Sequence, residues 1–155
     1  MVEKIRHRYP DFNLTTDVIV GFPGETDEDF KMTCDVVQNT GFSHIHTFKY
    51  SVRSGTRAER LEAQVSESVK QQRSLIIRDL SAENKRAYRN SMLGKEQIVL
   101  VEKYNPKTKW AKGYGQHYIP VEFRAGSDPH NQFIRAHLDS LGSGIDPVVT
   151  GSINV

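Results

Sequence analysis

From Ser66 onward the periodicity of this chain changes once, near Gly94, and that change limits what it can fold into. Before it, Ser66 to Met92 reads SESVKQQRSLIIRDLSAENKRAYRNSM. Val69, Ile76, Leu80 and Ala87 fall along one side of a long helix, with Lys, Arg and Glu elsewhere. After it, QIVLVEKY, KWAKGYG, YIPVEF, QFIRAHL and VVTGSI follow one another as short strand candidates separated by turn residues.

Five strands within roughly 60 residues predict a small closed all-β barrel of the OB type, an architecture often used to hold oligonucleotides. The region upstream predicts a different class. Val2, Ile5 and Tyr9 form a helical stripe that Pro10 stops. No plausible N-cap precedes Val2, as expected of a helix that has lost its beginning. Thr15 to Val20 reads as a strand, and its continuous Val18-Ile19-Val20 suits a parallel strand covered on both faces. Thr26 is a good N-cap, Asp29 completes a weak capping box, and Asp27, Glu28 and Asp29 suit the positive end of a helix. Phe30, Cys34 and Val37 share a face, which places Cys34 in the core, and Gly41 is a natural C′ residue. FSHIHTFKYS then reads as a second strand, with Phe42, His44, His46, Phe48 and Tyr50 on one face. Strand, helix, strand is a βαβ unit. Two strands do not bury both faces of a parallel sheet, so further strands are expected elsewhere.

Composition excludes several classes. The chain has 155 residues, 37% of them hydrophobic and 26% charged, which suits a soluble globular protein. No apolar run approaches the ~20 residues of a membrane span. MVEKIRHRYP lacks the apolar core of a signal peptide, so a cytoplasmic location and no membrane partner are expected. A net charge of +2 is too small to argue for nucleic acid by itself. The one cysteine, Cys34, rules out an internal disulfide and an all-cysteine metal or iron–sulfur site built by this chain alone.

The connection DVIVGFPGETDEDF, Asp17 to Phe30, carries the clearest site signal. Gly21 and Gly24 permit conformations or close approaches that a Cβ would block. Pro23 stiffens the link and Phe22 offers an apolar surface. The turn follows the carboxyl end of a parallel strand, where α/β folds keep their ligands. It has no lysine and is not a Walker A loop, nor does it read G-x-G-x-x-G. The plain alternative is a strand-to-helix connection with no ligand.

TTDVIVGFPGETDEDF, followed by GFSHIHTFKYSVRSGTRA, resembles the second half of the radical S-adenosylmethionine barrel of the tRNA methylthiotransferases. Phe48, Tyr50, Ser51, Arg53, Gly55, Thr56 and Ala58 match that family's second motif in order. The remaining chain fits the same family, with a long helix and then a small barrel of the TRAM type that binds RNA. WAKGYGQHYIPVEF is most similar to the branch acting on threonylcarbamoyl-adenosine beside the anticodon. The resemblance implies an α/β partial radical-SAM (TIM-like) barrel, of which the chain holds C-terminal strands and helices. Its divisions are 1–65 for the barrel part, 66–92 for a connecting helix and 93–155 for the TRAM barrel.

The resemblance also implies the chemistry. One [4Fe-4S] cluster cleaves S-adenosylmethionine to a radical, a second supplies sulfur, and another S-adenosylmethionine provides the methyl group. The cysteines for both clusters lie upstream of the matched region, in a missing N-terminal part of the same enzyme. With Cys34 alone the chain holds neither cluster and is expected to be inactive by itself. The implied S-adenosylmethionine contacts are Val20, Gly21, Phe22, Pro23 and Gly24, with Glu25 as a further contact. Phe48 and Tyr50 are expected against the adenine or the target base. Arg53 is expected on substrate phosphate or carboxylate, its alternative being a loop surface charge. For Glu25 the alternative is a helix-dipole role. No catalytic residue is assigned.

His44 and His46 share a strand face but are too few for a metal site, so no metal is assigned. The barrel's first hairpin is more informative. From Lys103 to Val121 there is no Asp or Glu, while Lys103, Lys107, Lys109 and Lys112 interleave with Tyr104, Trp110, Tyr114 and Tyr118. Lysines neutralise phosphates and aromatics stack on unpaired bases, which makes this the expected tRNA-binding surface. The bland alternative is a solvated hairpin whose aromatics fill the barrel. The long helix has a basic side with Lys70, Arg73, Arg78, Lys85, Arg86 and Arg89, expected to be mostly solvated. A stand-alone RNA-binding module remains an alternative, as does a methylthiotransferase branch acting on isopentenyl-adenosine in tRNA or on ribosomal protein.

Overall fold

The computed structural model describes residues 1–144 and 146–153. Ile145, within the turn-rich LGSGIDP stretch, and Asn154 and Val155, at the end of the 93–155 division, lie outside the described residues. The elements in chain order are α1 Val2–Arg8, β1 Thr15–Val20, α2 Asp27–Thr40, β2 His44–Lys49, a 3-10 turn at Ala58–Arg60, and α3 Glu67–Ser91. Then come β3 Glu96–Asn105, β4 Trp110–Gly115, β5 Pro120–Arg124, β6 Phe133–Leu141 and β7 Val149–Ser152. An α/β part with parallel strands is thus followed by a mixed barrel of five strands, as the change of period near Gly94 requires.

The chain forms two compact units, 14–85 and 1–13 together with 86–155. In the first, β1 pairs in parallel with β2, from Thr15 opposite His44 to Val20 opposite Lys49. The connecting helix α2 is fixed at both ends. The Thr26 hydroxyl accepts from the Asp29 amide while the Asp29 carboxylate accepts from the Thr26 amide, a complete capping box. Those hydrogen bonds from Thr26, backbone first, hold the Asp29 carboxyl below the usual carboxylate range. Gly41 ends the helix in the left-handed conformation at φ 59°. The core of this unit is Val20, Phe30, Val37, Ile45 and Ile77. Cys34 packs against it half-buried, and desolvation followed by the Asp35 charge raises its thiol pKa.

Two expectations are corrected here. Strand β1 is covered on one face, not both. Val20 is fully buried, but Thr15, Asp17 and Ile19 are exposed, since alternate residues point away from the core. The long helix also buries a different stripe. Ile76 and Ala87 are exposed, whereas Lys70, Arg73, Ser74, Ile77 and Ser81 are buried. This stripe has helical spacing but is mostly polar, so apolar periodicity does not detect it. Among the polar members, Lys70 bonds Glu67, Arg73 bonds Glu25 and Asp27, and the Ser81 hydroxyl accepts from the Ile45 amide.

In the second unit the barrel closes in the order β3-β4-β5-β7-β6, with β5 and β7 parallel and the other neighbours antiparallel. Inward residues alternate with outward ones, and Val99, Val101, Ala111, Val121, Phe123, Ala136, Leu138 and Val149 are buried. Tyr88 donates to the Asp11 carbonyl; burial and then the Asp11 charge push its phenol up to about 12. Gly94 adopts φ 80° between α3 and β3, and its amide donates to the Leu138 carbonyl. His137 faces two acceptors, the Asp139 carboxylate at 2.8 Å and the Gly94 carbonyl at 3.1 Å. The Asp139 hydrogen bond, more than any other contact, raises the His137 pKa.

Candidate functional site

The turn after β1 is built around one buried carboxylate. Glu25 accepts from the Gly21 amide at 2.6 Å, folding its side chain back across the turn. The Arg73 guanidinium, from α3, donates to the same carboxylate oxygen at 2.6 Å and to the Glu25 carbonyl at 3.1 Å. Its other terminal nitrogen reaches Asp27 at 2.7 Å. The Arg73 and Glu25 side chains are 6% and 12% exposed, so this pair is shielded from water, unlike the Asp27 partner. Desolvation opposes the Arg73 charge, but the hydrogen bonds to Asp27 and Glu25 outweigh it and the net shift is upward. Within the turn the Glu25 N–H donates to the Phe22 carbonyl, and the Gly24 N–H donates to the Ala63 carbonyl.

Gly21 explains why the turn needs glycine. Its φ is 74°, a conformation most side chains avoid, and a Cβ there would lie 2.3 Å from Lys70 Cγ. The close approach expected of a ligand is made by a lysine stem of the protein itself. Lys70 is buried along that stem, bonds Glu67 at 2.8 Å, and carries its ammonium 5.4 Å from the centre of the Tyr50 ring. The Lys70 hydrogen bond lowers the Glu67 pKa.

The expected cofactor residues therefore divide. Val20, Gly21 and Pro23 are buried, and Glu25 is occupied by Arg73 and Gly21. Phe22 and Phe48 are exposed, and nothing lies within 4 Å of where a Cβ on Gly24 would be. Phe22 meets the Tyr50 ring edge-on at 5.2 Å, and the Tyr50 hydroxyl is buried with no hydrogen-bond partner. Arg53 lies in an exposed loop. His44 and His46 form an edge-on pair at 4.4 Å, and among the described residues no cluster of three metal-ligating side chains exists.

The barrel presents the second candidate surface. The tight turn between β3 and β4 is held by the Asn105 side chain, which accepts from the Lys107 and Thr108 amides. Lys109 takes φ 60° there. Lys103 stands opposite Lys112, and Asn105 opposite Trp110. With Tyr104, Thr108 and Glu122 they line an open groove of about 630 Å³. Trp110 carries the Arg124 guanidinium 5.2 Å from its ring centre. Tyr114 and Tyr118 are exposed, and Tyr118 adopts φ 56° in the next turn.

Two details depart from the sequence pattern. Glu122 pairs with Lys112 at 2.7 Å, so the acid-free run does not leave all four lysines unpaired. Tyr104 faces inward against the barrel core. Lys103, Lys107 and Lys109 make no side-chain ion pair among the described residues. Lys70 and Arg73, expected on a mostly solvated basic side of the long helix, are instead buried, as is Arg89. Their serine-rich, evenly spaced burial stripe is the one signal that marks them.

No family model matches the chain. Among curated proteins, it is 43% identical to the threonylcarbamoyladenosine tRNA methylthiotransferase MtaB of Thermotoga maritima, over 79% of this chain and 28% of that protein. It is 43% identical to the tRNA-2-methylthio-N(6)-dimethylallyladenosine synthase of Syntrophus aciditrophicus, over 67% of this chain and 23% of that protein. It is 45% identical to the enzyme of the same name from Alkaliphilus oremlandii, over 66% of this chain and 22% of that protein. The chain spans about a quarter of the length of these relatives. On these matches the chain is homologous to the C-terminal portion of the tRNA methylthiotransferases.

Proposed function

We propose that this chain is the RNA-holding part of a tRNA methylthiotransferase, joined to one section of the wall against which S-adenosylmethionine binds. In this reading 1–65 belongs to a radical-SAM barrel, 66–92 connects, and 93–155 is a TRAM barrel. This division differs from the compact units because 1–13 packs with 86–155. The whole enzyme would act in the cytoplasm. Its preferred substrate is threonylcarbamoyl-adenosine beside the anticodon, a reading supported by the wider match to the MtaB relative, 79% of this chain against 67% and 66%.

The residues fit one of the implied cofactors and not the other. Exposed Phe22 and Phe48, the open backbone at Gly24 and the unsatisfied Tyr50 hydroxyl fit an adenosine with apolar faces and polar edges. Glu25 and Gly21 would support that wall from behind, with Arg73 fixing the turn. Two [4Fe-4S] clusters do not fit, because each needs several thiolates and the chain has one cysteine. No step of the radical chemistry is assigned to its residues.

The observation that carries the RNA reading is the set of cations without an ion pair among the described residues, Lys103, Lys107 and Lys109, beside half-buried Trp110 and exposed Tyr114 and Tyr118. Arg53 is a further phosphate contact in this proposal, and Lys112 contributes less because Glu122 offsets it. Replacing Lys103, Lys107 and Lys109 together by alanine is expected to weaken tRNA binding. It should also reduce the slope of log affinity against log salt by about 2 to 3. A titration series at several salt concentrations checks this; an unchanged slope would exclude the hairpin as the phosphate contact.

A further inference from the structure

The strand register lines up an apolar row across the outside of the barrel. Phe133 on β6 is opposite Leu100 on β3, Leu100 is opposite Tyr114 on β4, and Tyr114 is opposite Pro120 on β5. Phe133 is 73% exposed, and Leu100 and Tyr114 are also exposed. Ile98, exposed on β3 and opposite Arg135, widens the row on one side. Two residues along β4 lies a charged row, Lys103–Lys112–Glu122. Beyond it comes Asn105–Trp110–Arg124. At ~3.4 Å per residue, the apolar and charged rows are about 7 Å apart.

We propose that this face holds RNA as an unpaired strand, with bases stacked on Phe133 and Tyr114 over the Leu100 floor and phosphates along the Lys103 row. The inference rests on the RNA reading above and deepens it. It commits to single-stranded RNA and adds Phe133, a contact on β6 away from the lysine hairpin. Aromatic rings take base faces only when those faces are open, which a duplex prevents. A protein partner or a second copy would also cover an apolar row. The charge balance favours RNA: Glu122 is paired with Lys112 and Glu96 with Arg135, while Lys103, Lys107 and Lys109 make no ion pair among the described residues. Glu102, at the bulge in β3, is the exposed acid on the other side of the balance.

The test is anisotropy with the full chain and a labelled oligouridylate of about ten nucleotides, used alone or annealed to oligoadenylate. The single strand should bind at least roughly tenfold more tightly than the duplex at equal salt. Phe133→Ala should lose about tenfold in single-strand affinity with an unchanged salt slope, and Phe133→Tyr should restore it. Equal affinity for both RNAs, or a Phe133→Ala variant that binds the single strand like the parent, overturns the inference. In either case the broader RNA reading survives if Lys107→Ala with Lys109→Ala still lowers both affinity and slope, and falls if they do not. Self-association seen by sedimentation that Phe133→Ala abolishes, without any loss of RNA affinity, would assign the row to a second copy and also overturn it.

Discussion

Gly113→Ala is expected to unfold the barrel. Gly113 lies in the middle of β4, opposite Val101 on one side and Val121 on the other. A Cβ there would fall 2.0 Å from the Leu100 carbonyl oxygen, 2.8 Å from its carbon and 3.0 Å from the Val101 Cα. All three are backbone atoms, so no rotamer change relieves the clash. Strands β3 and β4 would have to separate where the barrel core is fully buried. Ordinary overpacking costs about 1–3 kcal/mol because side chains move aside. Here the cost should exceed about 4 kcal/mol, in the range reserved for disruption of a special site. Denaturant melts followed through Trp110, the one tryptophan and a member of the same strand, measure this directly. Gly126→Ala is the control, since nothing lies within 4 Å of its Cβ position and it should melt like the parent. Gly115→Ala should fall between them, because its nearest obstruction is the Gln97 side chain. A Gly113→Ala barrel as stable as the parent would show that this register is wrong.

The second large effect belongs to Arg73. Replacing it with Met leaves the Glu25 carboxylate 12% exposed and without its buried cationic partner. Removing one member of a buried pair costs about 3–5 kcal/mol, mostly from the charge left behind. The exposed Asp27 bond adds little, since surface pairs are weak. Glu25→Gln in the Arg73→Met background should recover part of the loss, because it removes that stranded charge. Hydrogen exchange at the Gly21 amide separates this from general destabilisation. That amide donates to Glu25, so it should exchange faster in Arg73→Met by more than the amides of α2 do. Equal acceleration throughout the 14–85 unit would mean that Arg73 supports the fold at large and not the turn.

The sequence announced different parts of this molecule with different strength. The barrel was legible because its strands alternate cleanly and its turns carry Asn, Gly and Pro, so β3 to β7 fall where period two places them. The capping box at Thr26 and the Gly41 cap were legible because each is a local rule satisfied within a few residues. The GFPGET turn was visible as special, but its glycine was read as bare backbone meeting a ligand. Lys70, 49 residues further along the chain, fills that space, and no local pattern connects the two. The same limit hid the buried face of α3. Hydrophobic periodicity looks for apolar stripes, whereas this helix buries Lys70, Arg73, Ser74 and Ser81 around Ile77. Phe133 went unnoticed for a related reason. Its exposure follows from barrel register, and in the sequence it is simply the apolar start of a strand. The acid-free run from Lys103 to Val121 was a correct count, yet folding brings Glu122 back onto Lys112.

These observations converge on a division of labour. The chain supplies a turn fixed by Glu25 and Arg73 and a cationic, aromatic barrel face, while the iron–sulfur chemistry of the proposed enzyme depends on cysteines it does not contain. Anaerobic reconstitution of the 155-residue chain with iron and sulfide, followed by iron and acid-labile sulfide analysis, tests that division most directly. The account predicts no stoichiometric cluster and no radical cleavage of S-adenosylmethionine, because a cluster needs several thiolates and Cys34 is a single half-buried one. A stoichiometric [4Fe-4S] cluster on the isolated chain would contradict it.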